Sequence, residues 1–400
     1  MRNVVIPAVR SHVPRCQEIA LVVSAASAPS VWPLFAIPAP RLKNLQVIVR
    51  RANTTLAPLP MSMFSGPEPP KLEHIFLYDV PLPCDIPPIR HELLGVKFIY
   101  VHLPSQLDDA LHWIPQARSV DLWAGPLDDE EPDPLSPSLF QSHPNLQHAS
   151  VLAIYNDLML RSSPCRKIPV LHIRMRHPDS MSIRDLLADE TALCMCIRTE
   201  LRPRLGGGKR PWGIVTIATP DRRVVRHLDF LSASYMKSRH FLRGLVDGDK
   251  VVHLTIGISA GLVRLCRLGC QLPRLRTLCL LIKRLPTDTI QWTSGSIVCL
   301  GLRTLLLQRD ESLTELTIRR AAVDRFIIDA LQLREGACLD VFLSGVRLLG
   351  DDNKSGTIAS VSYQDKGSQP QPGGKWRTIG REINNITWVI DEPWMGWMDA

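Results

Sequence analysis

The 400-residue sequence has no uninterrupted apolar run of the ~18 residues that a membrane-spanning helix needs. It also lacks the short phrases on which common enzymes are built. There is no Gly-x-Ser-x-Gly elbow, no His-Glu-x-x-His pair and no Gly-x-Gly-x-x-Gly turn after a strand. The run Leu205-Gly206-Gly207-Gly208-Lys209-Arg210 has the wrong glycine spacing for a phosphate loop, and Arg210 stands where Ser or Thr should follow the lysine. It reads as a flexible connection. Ten cysteines are scattered from Cys16 to Cys338, and the nearest pairs, Cys194/Cys196 and Cys266/Cys270, are not Cys-x-x-Cys pairs. They read as reduced thiols of an intracellular protein, with no metal and no other cofactor expected.

The chain begins with Arg2, Arg10 and Arg15 ahead of any acidic residue, and Ile19 to Ala28 is apolar. Pro7, Pro14 and Glu18 interrupt what a secretory leader or an amphipathic import helix would require, so a cytoplasmic or nuclear location is expected, with no membrane partner. The sequons at Asn53 and Asn385 are of a kind that arises by chance. A net charge of +8 raises nucleic acid as a partner, with Arg198, Arg202, Arg204, Lys209 and Arg210 in one cluster and Arg222, Arg223 and Arg226 in another. Aromatic side chains do not interleave with either cluster as a base-stacking platform requires. A basic nucleic-acid-associated scaffold stays as the alternative function, and solvated loops account for the charge as well.

What the sequence has is a recurring phrase: an apolar anchor, two positions, a second apolar residue, one position, a third. It reads Cys16/Ile19/Leu21, Leu42/Leu45/Val47, Leu72/Ile75/Leu77, Val96/Ile99/Val101, Ala117/Val120/Leu122, Leu146/Ala149/Val151 and Ile168/Leu171/Ile173. It resumes with Val225/Leu228/Phe230, Val251/Leu254/Ile256, Leu275/Leu278/Leu280, Leu302/Leu305/Leu307 and Leu313/Leu316/Ile318. The steps between anchors are 26, 30, 24, 21, 29 and 22, then 26, 24 and 27, and finally only 11. Residues 174–224 break the series and offer one weak strand at Ile214 to Ile217.

Such a step is that of leucine-rich repeats, about 20–29 residues, each holding one strand and a return. Alternate side chains of a strand face opposite sides, so the second and third apolar residues enter the core together while the anchor lies just ahead of the strand. Helical returns are expected at Gln106 to Ile114, with apolar Leu107, Ala110, Leu111 and Ile114, and around Phe326, Ile327, Ala330 and Leu331. The fold class is therefore α/β, an irregular leucine-rich-repeat-like solenoid with parallel strands on a concave face and helices or turns on the convex one. Thirty-three prolines suit a chain with many short elements. Three parts are expected: residues 1–350 as the repeat array, 351–374 as a polar Gly/Pro/Ser linker, and 375–400 as a tail holding Trp376, Trp388, Trp394 and Trp397. Asp128 to Pro134 is expected as an exposed acidic loop.

Three stretches give the chain a family likeness: Ala39-Pro40-Arg41-Leu42-Lys43-Asn44-Leu45, Phe64-Ser65-Gly66 leading to Pro70-Lys71-Leu72, and Leu272-Pro273-Arg274-Leu275-Arg276-Thr277-Leu278-Cys279-Leu280. Over about residues 10–350 it resembles fungal, mushroom-type F-box proteins with degenerate leucine-rich repeats. The resemblance implies a substrate-recognition region of a cullin-type ubiquitin ligase, with an unknown protein as substrate. It departs in one respect: the F-box, the helical segment that docks on the ligase adaptor, has no counterpart ahead of Cys16. Leu103-Pro104-Ser105-Gln106-Leu107 imitates its opening only briefly, inside the repeat series. Adaptor binding is expected only if an F-box is missing from the gene model, and a diverged or truncated paralogue without a ligase role stays open. No enzyme activity is expected.

The outward positions of the strands are the expected partner surface: His74, Phe76 and Tyr78, then Ser119, Asp121 and Trp123, then His148, His227, Asp229, His253 and Thr255. Aromatic side chains such as Phe76, Tyr78 and Trp123 are common interface anchors. A polar residue at an exposed strand position accounts for the histidines without a ligand.

Overall fold

Most described strands form where the phrase places them, and three of them follow a turn that shows why. The computed structural model describes residues 9–50, 59, 72–78, 80, 98–101, 119–122, 146–153, 164–175, 186–203, 209–230, 247–257, 270–282, 295–309, 316–350 and 356–364. In the clearest turns the chain reads apolar-Pro-x-Leu, and the leucine amide donates back to the first residue's carbonyl: Leu42 to Ala39 and Leu275 to Leu272, both at 3.0 Å. Proline at the second turn position fixes φ for this bend. Cys299-Leu300-Gly301-Leu302 makes the same turn without proline, at 3.0 Å. Both apolar ends of each turn are buried, so the bend itself is a core layer.

The first seven strands are β1 (Glu18–Ser24), β2 (Asn44–Arg50), β3 (His74–Tyr78), β4 (Phe98–Val101), β5 (Ser119–Leu122), β6 (His148–Ala153) and β7 (Val170–Met175). Each starts two residues after its anchor. They pair in parallel and in sequence order. Ile19, Leu45, Ile75, Ile99, Val120, Ala149 and Leu171 stand in one row of that register. The next inward row is Leu21, Val47, Leu77, Val101, Leu122, Val151 and Ile173. Leu45, Val47, Ile75, Leu77, Leu171 and Ile173 are buried, worth about 1.5–3 kcal/mol each. The ladder extends one residue upstream: Lys43 N–H donates to Gln17 O and Glu73 N–H to Lys43 O, both at 2.8 Å.

The middle of the chain departs from expectation. Where one weak strand was expected, there are two long ones, β8 (Leu193–Pro203) and β9 (Lys209–Ala218), followed by β10 (Val225–Phe230). β10 runs parallel to β7 on one side and antiparallel to β9 on the other. The turn from β9 to β10 is tied by Asp221, whose carboxylate accepts from the Thr219 hydroxyl at 2.7 Å and from the Arg223 amide at 3.2 Å and side chain at 2.5 Å. These bonds hold the Asp221 carboxyl down to about 2. The Gly206–Gly208 run lies outside the described residues.

The hairpin also corrects the register of the Val225 phrase. Its spacing puts Leu228 beside Leu171, but the sheet pairs Leu171 with Arg226 and Ile173 with Leu228. Arg226 therefore occupies an inward position and is fully buried. Its guanidinium donates to the carbonyls of Ile168, Val225 and Pro169 at 2.8, 3.0 and 3.2 Å and to that of Arg166 at 2.9 Å. One cation closes three carbonyls ahead of β7 and that of the first residue of β10.

The chain divides into two compact units, residues 1–191 with 199–246, and residues 192–198 with 247–400, where a single array over 1–350 was expected. The second unit holds β11 (Val251–Gly257), β12 (Thr277–Ile282), β13 (Ile297–Val298), β14 (Thr304–Arg309), β15 (Thr317–Arg319), β16 (Leu331–Gln332), β17 (Leu339–Ser344), β18 (Arg347–Leu349) and β19 (Ile358–Gln364). The start of β8, then β11, β12, β14, β17 and β19 pair in parallel. Their inward rows are Met195, Leu254, Leu278, Leu305, Val341 and Val361, then Ile197, Ile256, Leu280, Leu307, Leu343 and Tyr363. Two small parallel pairs, β13 with β16 and β15 with β18, accompany them. The short step to Leu313 is thereby explained: its phrase leads into β15, which is not in the main ladder. β19 likewise corrects the expected linker, since residues 358–364 are a strand.

The helix Arg320–Ala330 bears out the C-terminal return, with Val323, Phe326, Ile327 and Ala330 buried at helical spacing and Leu331 already in β16. The return expected at 106–114, the acidic loop at 128–134 and the tail at 375–400 lie outside the described residues. The architecture is α/β, with mostly parallel strands and few helices among the described residues. No described helix is long and apolar enough to cross a membrane.

Candidate functional site: the second face of the strands

Alternation fixes what the face opposite the core carries. In the first unit one row of that face reads Glu18, Asn44, His74, Phe98, Ser119, His148, Val170 and Val225. The next row reads Ala20, Gln46, Phe76, Tyr100, Asp121, Ser150, His172 and His227. Tyr78 stands level with Ile48, and Asp229 level with Arg174. The register thus gathers His74, Phe76, Tyr78, Asp121, His148, His227 and Asp229 on one face of one ladder. Trp123 lies outside the described residues, and His253 belongs to the second unit.

Accessibility divides this set. His74 is exposed and Phe76 half-buried, as a partner surface requires. His227 and His253 are not: they are 0% and 4% exposed, so the expectation that they face a partner is corrected. The slipped register moves His227 from the row of His74 to that of Phe76, next to His172. The two buried imidazoles meet edge to face, centroids 4.7 Å apart. His227 Nδ1 is hydrogen-bonded to the Thr216 hydroxyl of β9 at 2.9 Å. The contact of His172, His227 and Thr216 was missed because the phrase puts His227 one row away from His172, and the weak strand expected at Ile214 to Ile217 was given no partner. The only sequence signal was a histidine at each position.

In the second unit the same face carries Cys194, His253 and Thr277 in one row and Cys196, Thr255 and Cys279 in the next. His253 Nε2 is hydrogen-bonded to the Thr255 hydroxyl at 3.0 Å. Burial lowers the His253 pKa from 6.5 to about 4, so the ring is neutral at pH 7. Burial pushes the Cys194 thiol up to about 12, which keeps it protonated and poorly nucleophilic. Among the described residues no three His, Cys, Asp or Glu side chains are placed to hold a metal ion.

The basic cluster at 222–226 is not a phosphate surface as a whole. Arg226 is buried on carbonyl oxygens, and Arg223 is paired with Asp221. Compared with protein-family models, curated proteins and solved structures, the chain matches none of them.

Proposed function

We propose that the chain is a non-enzymatic protein-recognition module, a degenerate leucine-rich-repeat-like solenoid whose partner binds the second face of β2 to β6. One observation carries this reading: the in-register alignment that lines up His74 with His148 and Phe76 with Asp121 on a single face. Aromatic and polar side chains presented from neighbouring strands suit a protein surface better than a small-molecule pocket. By resemblance to fungal F-box proteins, the role is substrate recognition for a cullin-type ubiquitin ligase, with adaptor docking left to an F-box segment.

The test is a photo-crosslinking amino acid placed at Phe76 in the full chain, with a second chain carrying it at the 64% exposed Ile328 as control. A discrete protein adduct formed at 76 and absent at 328 is the expected result. Equal labelling at both positions, or no protein adduct at 76, would overturn the assignment.

A further inference from the structure

One row of the first unit's second face is polar from strand to strand. It runs Asp121, Ser150, His172, His227 and Thr216 across β5, β6, β7, β10 and β9. Two of its members are closed to water, His172 at 6% and His227 at 0% exposure. Their rings touch edge to face across the β7–β10 pairing, centroids 4.7 Å apart. On its far side His227 Nδ1 is hydrogen-bonded to the Thr216 hydroxyl at 2.9 Å. The strand order is β7-β10-β9, so this contact lies at the seam where the β9–β10 hairpin joins the ladder.

A histidine pair at such a seam is sensitive to acid. An imidazole in water takes up a proton at about pH 6.5. In the closed seam a charged ring loses its hydration, and a first proton repels a second on a ring 4.7 Å away. The neighbouring rows decide whether the protein offsets that charge. On one side stand His148, Val170, Val225 and Ala218, and on the other Leu152, Arg174, Asp229 and Ile214. The titratable or charged members are His148, Arg174 and Asp229, besides Asp121 in the row itself. Asp229 is level with Arg174 on the adjoining strand, so its negative charge comes with a positive one. Asp121 stands two strands from His172, roughly 9.6 Å along the sheet. Arg226 points to the core face, its charge held by carbonyls.

We propose that the His172–His227 contact is an acid-sensitive latch between β7 and the β9–β10 hairpin, closed while both rings are neutral and released when either takes up a proton. Parting β10 from β7 returns both rings to water, so the open form binds more protons than the closed one. It therefore gains on the closed form as pH falls through the ordinary histidine range, and above that range the latch holds. The inference concerns how the ladder is held together, and it stands whether or not its second face receives a protein.

Amide hydrogen exchange of the full chain, read by mass spectrometry at about pH 7.5 and about pH 5 and corrected for the intrinsic rate at each, tests the latch. Residues 213–230 of the hairpin should lose about ten-fold or more of their protection at the lower pH, the effect of one unit of proton linkage. Residues 44–49 of β2, in the same unit but remote in the ladder, should change by less than about two-fold. His172→Phe keeps a ring in place and removes the pair, so the loss in 213–230 should shrink to about two-fold. His172→Gln provides the same comparison if the phenylalanine chain does not fold, and the contrast between the two segments of the parent chain needs neither variant. Equal protection of 213–230 at both pH values overturns the proposal. So does an equal loss in 44–49, which is general acid loosening, and so does a full loss that persists without His172.

Discussion

Arg226 is where a single side chain deviates furthest from its usual setting. A guanidinium at an inward strand position, out of contact with water, is tolerated because four carbonyl oxygens accept its protons. Replacing it with Met keeps the volume and removes the donors. The expected loss is about 3 kcal/mol of unfolding free energy, the order for charged hydrogen bonds, read from urea denaturation. His253 makes a different case. Its pKa is about 4 when folded and 6.5 when free, so between these values the unfolded chain binds more protons than the folded one. Its neutral, buried state contributes nothing adverse above pH 6.5, and stability falls as pH drops from 6.5 towards 4. Unfolding midpoints measured at pH 7 and pH 4.5 should differ by less in His253→Asn than in the parent chain.

At the scale of the element, turns set the spacing of the layers. A Cβ built on Gly301 would lie 2.9 Å from the Pro273 carbonyl and 3.3 Å from that of Leu275, both backbone atoms of the preceding turn. Gly301→Ala should therefore cost about 1–3 kcal/mol by forcing two stacked turns apart, as seen in thermal or urea melts. These elements were legible because turn and strand carry one phrase: Leu272-Pro273-Arg274-Leu275 bends, and Leu278 and Leu280 fill the core. β8 was not legible, since Cys194, Cys196 and Arg198 alternate with Met195 and Ile197 without an anchor leucine, and β9 was legible only as a weak strand at Ile214 to Ile217. β19 hid in a polar stretch, where Ser360 and Ser362 lower its hydrophobicity while Val361 keeps the register. Ser360 donates to the Asp340 carboxylate at 2.6 Å, so even the polar positions of that strand are used.

At the scale of the whole molecule, alternation puts the described candidates on the second face but cannot assign their exposure. His74 and His227 occupy equivalent places in the phrase, yet one is open to solvent and the other is enclosed. The difference comes from the β9–β10 hairpin, which fixes Val225 opposite Ala218 and so shifts β10 by two positions against β7. Pairing with a strand remote from the phrase overrode the phrase itself. His74 is accessible and Phe76 half-buried, whereas His227 and His253 are enclosed.

The shared direction of β1 to β7 has a further consequence for change over generations. All seven strands point the same way, so their last residues, Ser24, Arg50, Tyr78, Val101, Leu122, Ala153 and Met175, lie along one rim of the ladder. An insertion made after any of these last residues leaves every ladder hydrogen bond in place. Novelty can accumulate on that rim, segment by segment, while the leucines beneath go on holding the same layers together.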